Sequence, residues 1–255
     1  MNGYLELTGD YASLAVLPFY LTYRSLVRAK VACLRMGQEG LSQIERKQLH
    51  EEFHSYLELA ERYTQPTQPL LMITHGYSGS GKSTGTQPVV EILGAIRVRS
   101  DVERKRLFGL SPLEKSDSKV GENLYSSDAN RRTYHRLIEL AEAIIRSGFS
   151  VIVDATFLKQ KKRDQFRKLA EQLGVPFVIL DFQASAEILK QRVSQRKEQG
   201  RDASEAGPAV LERQLETSEP LSEAERSLVI VVDTEKKGSS VLMVTEIEIE
   251  IRRQM

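Results

Sequence analysis

The fold of this chain is decided by one stretch, Gly76-Tyr77-Ser78-Gly79-Ser80-Gly81-Lys82-Ser83-Thr84. It matches the pattern GxxxxGK[ST], follows an apolar run at residues 70–75 and precedes a helical stretch. In such a loop the glycines let successive backbone N–H groups turn inward around phosphate oxygens, and the following helix adds the positive end of its dipole. The stretch therefore predicts a phosphate-binding loop between a strand and a helix.

Two side chains of the loop have expected roles. Lys82 should reach the β- and γ-phosphates of a nucleotide, and the hydroxyl of Ser83 should ligate Mg²⁺. The other predicted nucleotide-binding residues are Gly76, Ser78, Gly79, Ser80, Gly81 and Thr84. A dinucleotide site is excluded, because the third glycine of that motif is missing after Gly81. ATP or GTP is the predicted ligand.

Around the loop, β-rich runs alternate with helical stretches, which favours an α/β fold with a parallel sheet. The predicted strands are residues 70–75, 95–99, 150–154, 176–181 and 228–232. The predicted helices are residues 82–93, 102–108, 129–147, 159–173 and 186–195. Two polar segments, residues 109–127 and 196–206, interrupt the alternation, and we interpret them either as mobile covers over a site or as solvated loops.

The first third of the chain has a different pattern. Apolar residues recur at helical spacing over residues 11–36, and a second helix is predicted over residues 42–63. Gln65-Pro66-Thr67-Gln68-Pro69 then disfavours helix. We predict a helical segment at 1–64, a nucleotide-binding domain at 70–234 and a tail at 235–255, where alternating Ile and Glu favour an edge strand.

Composition narrows the classes of protein. The formal net charge of +1 gives no overall field that would attract nucleic acid or an anionic membrane. The single cysteine, Cys33, has no disulfide partner within the chain, which is typical of a reducing compartment. The N-terminus lacks a signal-peptide pattern, and the longest apolar stretch, residues 14–23, is too short to span a bilayer. We expect a cytoplasmic protein with no membrane span.

Two carboxylates are candidates for the chemistry. Asp154 ends an apolar strand, where it is placed to hold Mg²⁺ beside the phosphate loop, and no glutamate follows it to polarise water. Asp101 follows the strand at residues 95–99 and could accept the proton of an attacking hydroxyl. The structural alternatives are that Asp154 caps a loop and that Asp101 is a helix N-cap.

Arginines form the third element of the predicted site. Arg104, one helical turn after Asp101, could fix an acceptor. Arg196 and Arg201 lie in a stretch that could close over the phosphates, because a guanidinium pairs well with phosphate oxygens. A solvated basic helix is the alternative interpretation of the stretch around Arg192 and Arg196.

Together these residues resemble those of the P-loop kinases grouped with polynucleotide 5′-hydroxyl kinases, zeta toxins and gluconate kinases. The resemblance covers residues 69–234 and is carried by the phosphate loop, the D-x-x-R of Asp101 and Arg104, Asp154 and the arginine-bearing segment. It implies a three-layer P-loop fold with sheet order 2-3-1-4-5, an adenine held partly by a helical lid, and a hydroxyl acceptor. Members phosphorylate sugars, nucleotides and nucleic-acid ends.

The first 60 or so residues resemble the C-terminal helices of aminoglycoside-phosphotransferase-like domains, through Gly9-Asp10-Tyr11 and Phe19-Tyr20-Leu21-Thr22-Tyr23-Arg24. This resemblance implies a fused or partner phosphotransferase-like domain. The catalytic loop and metal-binding motif of such a domain do not precede these residues. If the chain is complete, we expect the helices to act as a scaffold or dock.

Two further sequence patterns give weaker support for other functions. His50-Glu51-Glu52-Phe53-His54 fits the zinc motif HExxH, but no third ligand stands out. A basic cluster could bind a nucleic-acid end, although a solvated helix explains it as well. Its members are Lys159, Lys161, Lys162, Arg163, Arg167 and Lys168.

The sequence thus predicts an ATP- and Mg²⁺-dependent kinase that acts on a hydroxyl of a small molecule, with a nucleic-acid end as another acceptor. The alternative hypothesis is an ATP-binding switch that controls how the N-terminal helices dock. The two hypotheses differ at Asp101, which only the kinase requires for transfer.

Overall fold

The computed structural model describes residues 1–65, 67–114, 124, 126–199, 203–236 and 238–254, without the side chains of 197–199. The chain divides into two compact units, one formed by residues 1–11 together with 68–255 and the other by residues 12–67. The first eleven residues thus belong with the larger unit. Independent domains at 1–64 and 70–234 stay a prediction.

The larger unit is built on a five-stranded parallel sheet in the order β2-β3-β1-β4-β5. The strands are β1 Leu71–His75, β2 Ile96–Arg99, β3 Val151–Asp154, β4 Phe177–Gln183 and β5 Val229–Asp233. All five predicted strands and the predicted order 2-3-1-4-5 are confirmed. The register pairs Leu71 of β1 with Val151 of β3 and with Phe177 of β4.

The central strands are buried because helices cover both faces of a parallel sheet. Every residue of β3 is buried, and so is every residue of β4 except Gln183, which is exposed. One core cluster includes strand residues that are at most 2% exposed, among them Met72, Ile152, Val178, Leu180 and Phe182. This rigid sheet holds the ends of β1, β2 and β3, where the candidate site lies.

The helices follow the strands in alternation. They are α1 Asn2–Thr8, α2 Leu17–Met36, α3 Gln43–Thr64, α4 Lys82–Gly85, α5 Gln87–Ile92, α6 Ser100–Leu107, α7 Ser127–Arg146, α8 Gln160–Leu173, α9 Ala186–Gln199, α10 Pro208–Thr217 and α11 Ser239–Gln254. Short 3₁₀ helices cover Tyr11–Ala15 and Glu223–Leu228. The predicted helix 82–93 is split at Thr86, just before Pro88, which has no backbone N–H to donate.

The C-terminal tail is a helix, and the predicted edge strand is wrong. Met243, Val244 and Ile247 of α11 are buried, and Ile251 packs against the same cluster, which is the spacing of one helix face. Ile249, which a strand would bury beside Ile247, is 61% exposed. The Ile-Glu alternation is therefore local, and the helical spacing across the whole segment decides its structure.

The smaller unit consists mainly of α2 and α3, which pack against each other. The buried positions of α2 are the small residues Ser25, Ala29 and Ala32, which allow close packing. Helix α3 begins with a capping box formed by Ser42 and Glu45. Among the described residues, no helix combines the length and the apolar content that crossing a membrane requires.

Candidate active site

The phosphate loop lies between β1 and α4, as the sequence predicts. Gly76, Gly79 and Gly81 have positive φ angles of 138°, 86° and 84°, which L-residues rarely adopt. Space is also limiting, because a Cβ on Gly76 would lie 2.5 Å from the carbonyl oxygen of Phe182. One on Gly79 would lie 2.9 Å from that of Leu189. The loop is thus tightly packed against β4 and α9.

Lys82 lies across its own loop. Its Nζ donates to the carbonyl oxygens of Gly76, at 3.0 Å, and Tyr77, at 2.6 Å. Burial lowers the pKa of Lys82 from 10.5 to about 8, although the carboxylates of Asp154 and Asp101 act to raise it. Lys82 lines a cavity that is also lined by both candidate carboxylates, and its ammonium group is held against the loop backbone.

Ser83 and Asp154 are brought together at the start of α4 and the end of β3. The Ser83 hydroxyl donates to Asp154 Oδ2 at 2.6 Å, and Asp154 is only 5% exposed. A hydroxyl and a carboxylate are hard oxygen donors of the kind that Mg²⁺ accepts, together with phosphate and water oxygens. The residues present fit Mg²⁺. Within the described part of the chain, no group of three or more His, Cys, Asp or Glu residues could hold a metal ion unaided.

Asp101 lies in the first turn of α6, and the N-cap of that helix is Arg99. The N-cap interpretation of Asp101 is therefore wrong. Its Oδ1 accepts from Arg104 Nη1 at 3.2 Å, within one helical turn, and both side chains line the same cavity. The structure thus brings Asp101 and Arg104 together, with the carboxylate 28% exposed and thus accessible from the cavity.

Arg192 and Arg196 both lie on α9 and line the cavity. Arg192 Nη1 donates to Thr234 Oγ1 at 2.9 Å, next to Gly81 of the phosphate loop. Arg196 Nη2 donates to the carbonyl oxygen of Ala206 at 2.9 Å. Neither is a solvated surface arginine. The predicted lid residue Arg201 lies outside the described residues, as do residues 115–123 of the other predicted cover.

These residues surround one cavity of about 360 Å³. Its lining includes residues of the phosphate loop as well as Asp101 and Arg104. Among the further lining residues without a role in the sequence-based prediction, Asn130, Tyr134, Thr156 and Gln214 carry polar side chains that can hydrogen-bond a ligand. Thr156 could have been found, because it follows Asp154 by two positions. The others come from α7 and α10, where nothing local marks them.

Tyr134 gives the side of the cavity near Asp101 an apolar wall with a polar tip. Its pKa is raised, because burial disfavours the phenolate more than Arg104 and a hydrogen bond with Thr156 favour it. Its ring packs edge-to-face against Phe157, the described non-glycine residue with positive φ, 47°. Tyr134 therefore stays a neutral hydrogen-bonding group beside Asp101.

The basic cluster of α8 is not a continuous cationic surface. Arg163 is 1% exposed and makes two hydrogen bonds to Glu225, at 2.6 and 3.0 Å. Arg167 pairs with Asp164 and Glu171. Including Arg163 in a nucleic-acid surface is therefore wrong, since its guanidinium is used inside the protein.

The two histidines of the HExxH stretch lie on one face of α3, with their Nε2 atoms 3.3 Å apart and exposed. Within the described residues they join no cluster of three ligands. A zinc hydrolase gains no support from this arrangement.

Residues 71–221, more than half of the chain, match the family model described as an AAA domain. Proteins of Mycobacterium tuberculosis and Mycobacterium bovis, both described as uncharacterized, are 28% identical over 215 residues. The match covers 84% of this chain but 42% of each relative, so the chain spans less than half of their length.

Two solved structures share the fold. One is Kti12 of Chaetomium thermophilum in complex with ADP-AlF₃, with a TM-score of 0.55 and 14% identity over 71% of this chain and 98% of the other. Another is the APS kinase of Mycobacterium tuberculosis in complex with AMPPNP and APS, with a TM-score of 0.50 and 18% identity over 72% and 98%. At these identities the likeness concerns the fold.

Proposed function

The chain belongs to the AAA domain family, and from that premise we propose that it is a kinase that transfers the γ-phosphoryl group of ATP to a hydroxyl of a small molecule. The observation that carries this proposal is that one cavity is lined both by the phosphate loop and by an accessible carboxylate, Asp101. Nucleotide-dependent phosphotransfer also fits the solved structures of the same fold, one of which is a kinase bound to a nucleotide analogue.

In this proposal the phosphate loop and Lys82 bind the β- and γ-phosphates. Asp101 accepts the proton of the acceptor hydroxyl as its oxygen forms a bond to the γ-phosphorus. The bond from that phosphorus to the β–γ bridging oxygen breaks, and the products are ADP and a phosphorylated acceptor. Most of the rate enhancement comes from positioning and charge stabilisation.

Ser83 and Asp154 would hold Mg²⁺, which supplies positive charge against the phosphate oxygens. Arg196 would stabilise the charge spread over the moving phosphoryl group, and Arg104 would orient both Asp101 and the acceptor. Arg201 is proposed for the same role as Arg196 from its place in the sequence. The nucleotide would also contact the remaining loop residues, Gly76, Ser78, Gly79, Ser80, Gly81 and Thr84.

Neutral hydrogen-bonding groups, Asn130, Tyr134 and Thr156, share the cavity with Asp101. They suit a polar small molecule better than a polyanionic strand. Arg163 and Arg167 of α8 are already paired with carboxylates of the protein. The basic cluster therefore gives less support for a nucleic-acid end as acceptor, and we keep that acceptor only as one member of the test panel.

The test is transfer of ³²P from γ-labelled ATP with Mg²⁺ to a panel of sugars, nucleosides, antibiotics and 5′-hydroxyl oligonucleotides. Label on one acceptor, lost in Lys82→Ala and Asp101→Asn but retained in the control Asp164→Asn, a partly exposed aspartate of α8 outside the cavity, supports the kinase. Nucleotide-dependent docking of a partner that survives Asp101→Asn, with no labelled acceptor, would support the switch instead.

A further inference from the structure

Gln214 of α10 makes two hydrogen bonds to one residue of the phosphate loop. Its Oε1 accepts from the backbone N–H of Ser78 at 2.9 Å, and its Nε2 donates to Ser78 Oγ at 3.1 Å. Ser78 is 6% exposed, and both residues line the cavity that contains Lys82 and Asp154. The pair thus links α10 directly to the loop that should bind the phosphates.

The orientation of the Gln214 amide follows from chemistry. A backbone N–H can only donate, so the atom that faces it must be the amide oxygen. The NH₂ group then faces Ser78 Oγ and donates to it. The Ser78 oxygen is an acceptor in this contact, which leaves its own hydrogen to donate to another group. Because Ser78 lines the cavity, a ligand there can accept that hydrogen.

Gln214 is itself held in place from two sides. Leu211, one turn earlier on α10, is 1% exposed and packs in a cluster with Leu189 and Val193 of α9. Just after α10, the hydroxyl of Ser218 lies 2.8 Å from the hydroxyl of Tyr77, the neighbour of Ser78. A side chain on such a fixed helix can hold its partner in one orientation at little cost in entropy.

The position of Ser78 indicates which phosphate it serves. Lys82, at the start of α4, is the residue proposed to reach the β- and γ-phosphates. Ser78 lies on the other arm of the loop, beside α10 and the end of β1. It shares the cavity with Arg196 and Asp101, the groups proposed to act on the terminal phosphate.

We propose that Gln214 is a positioning residue that aims the Ser78 hydroxyl at the terminal phosphate of ATP, so that Ser78 Oγ–H donates to a γ-phosphate oxygen. This inference rests on the proposed function for the identity of the nucleotide. ADP lacks the γ-phosphate and does not use this donor. Gln214 and Ser78 therefore contribute to the preference of the protein for ATP over ADP, beside Lys82 and Arg196.

The test measures the dissociation constants of AMPPNP and ADP by calorimetry with Mg²⁺. Gln214→Met, Ser78→Ala and the double variant are compared with Gln165→Met, the same change at an exposed position of α8. A hydrogen bond to a charged group supports a loss of roughly tenfold in the AMPPNP-over-ADP preference for each single variant. The double variant should lose no more than Ser78→Ala, because Gln214 acts through Ser78.

Three results would overturn the inference: an unchanged preference, an equal loss of affinity for both nucleotides, or additive effects in the double variant. An equal loss would show that Gln214 only holds the loop together. Thermal unfolding checks that each variant is folded. If Gln214→Met does not fold, Ser78→Ala still tests whether the Ser78 hydroxyl donates to the γ-phosphate. These readouts need no acceptor, so they stand apart from a failure to find phosphoryl transfer.

Discussion

Gly79 shows how one residue can decide whether the loop forms. Its φ of 86° belongs to the left-handed region, and a Cβ there would lie 2.9 Å from the Leu189 carbonyl oxygen. The strained φ alone costs an L-residue about 1–2 kcal/mol, and the backbone contact prevents a simple adjustment.

We therefore predict that Gly79→Ala weakens ATP binding by about tenfold, measured by calorimetry, since about 1.4 kcal/mol of strain in the loop corresponds to tenfold in affinity. Gly174→Ala is the matched control, because Gly174 has φ 65° at the end of α8 with no atom within 4 Å of an added Cβ. Gly174→Ala should lower the free energy of unfolding, because alanine is strained at this φ, but it should leave the affinity for ATP unchanged. Equal ATP affinities for both variants and the native protein would contradict the prediction.

At the scale of elements, Arg163 joins α8 to the segment that leads into β5. Besides its pair with Glu225, it donates to the carbonyl oxygens of Phe157, Glu219 and Pro220. Removing one partner of such a buried pair typically costs about 3–5 kcal/mol, because a charge is left buried alone.

Arg163→Met should therefore lower the free energy of unfolding by about 3–5 kcal/mol, as measured in urea. Arg167→Met, on the same helix, removes only exposed ion pairs and should cost about 1 kcal/mol or less. Similar losses of unfolding free energy in the two variants would show that the buried pair of Arg163 and Glu225 stabilises the protein no more than an exposed ion pair.

The same contact predicts a dependence of stability on pH. Burial acts to raise the pKa of Glu225, but hydrogen bonds from Arg163 and Ser222 outweigh it and lower the pKa from 4.5 to about 2. A carboxylate with a lowered pKa in the folded state stabilises the protein fully above about pH 4.5, and this stabilisation is lost as the pH falls towards 2.

We predict that Glu225→Gln flattens the fall in unfolding free energy between pH 4.5 and 2, relative to the native protein. Urea titrations at several pH values measure this slope. Parallel slopes for the variant and the native protein would mean that Glu225 is not linked to acid unfolding.

At the scale of the whole molecule, α1 covers the outer edge of the sheet at β2. The Asn2 amide donates to the Ala95 carbonyl oxygen at 3.0 Å and accepts from the Arg97 N–H at 2.7 Å, on the outer edge of β2. Glu6 pairs with Arg99 at 2.9 Å. The first residues of the chain thus cover the strand that leads into Asp101.

Asn2→Ala should lower the free energy of unfolding by about 1–3 kcal/mol, because two backbone groups lose their partners. Asn2→Asp keeps the acceptor for Arg97 but not the donor to Ala95, so its loss should be smaller. Chemical unfolding measures the loss of unfolding free energy in each variant. A larger loss in Asn2→Asp than in Asn2→Ala would contradict this account of the sheet edge.

The sheet and the phosphate loop could be predicted because their signals are local: apolar runs, glycines and one carboxylate at the end of a strand. The contacts that complete the site are distant in sequence. Gln214 meets Ser78 across 136 residues, and Arg163 meets Glu225 across 62. Neither α10 nor these pairs has a spacing rule that would reveal them.

Segments with competing local patterns account for the errors. The tail alternates Ile and Glu like a strand, yet the burial of Met243, Val244 and Ile247 against the sheet makes it α11. The charges of α8 look solvent-facing, yet one of its arginines is buried. In both cases tertiary packing overrides the local pattern.

The most direct test of the central claim is a comparison of nucleotide binding and phosphoryl transfer in Asp101→Asn. With an acceptor found by the labelling panel, transfer should fall by about 10²- to 10⁴-fold, while ATP affinity stays near that of the native protein. Transfer at the native rate in this variant, with ATP bound normally, would show that Asp101 is not the base and would contradict the proposed mechanism.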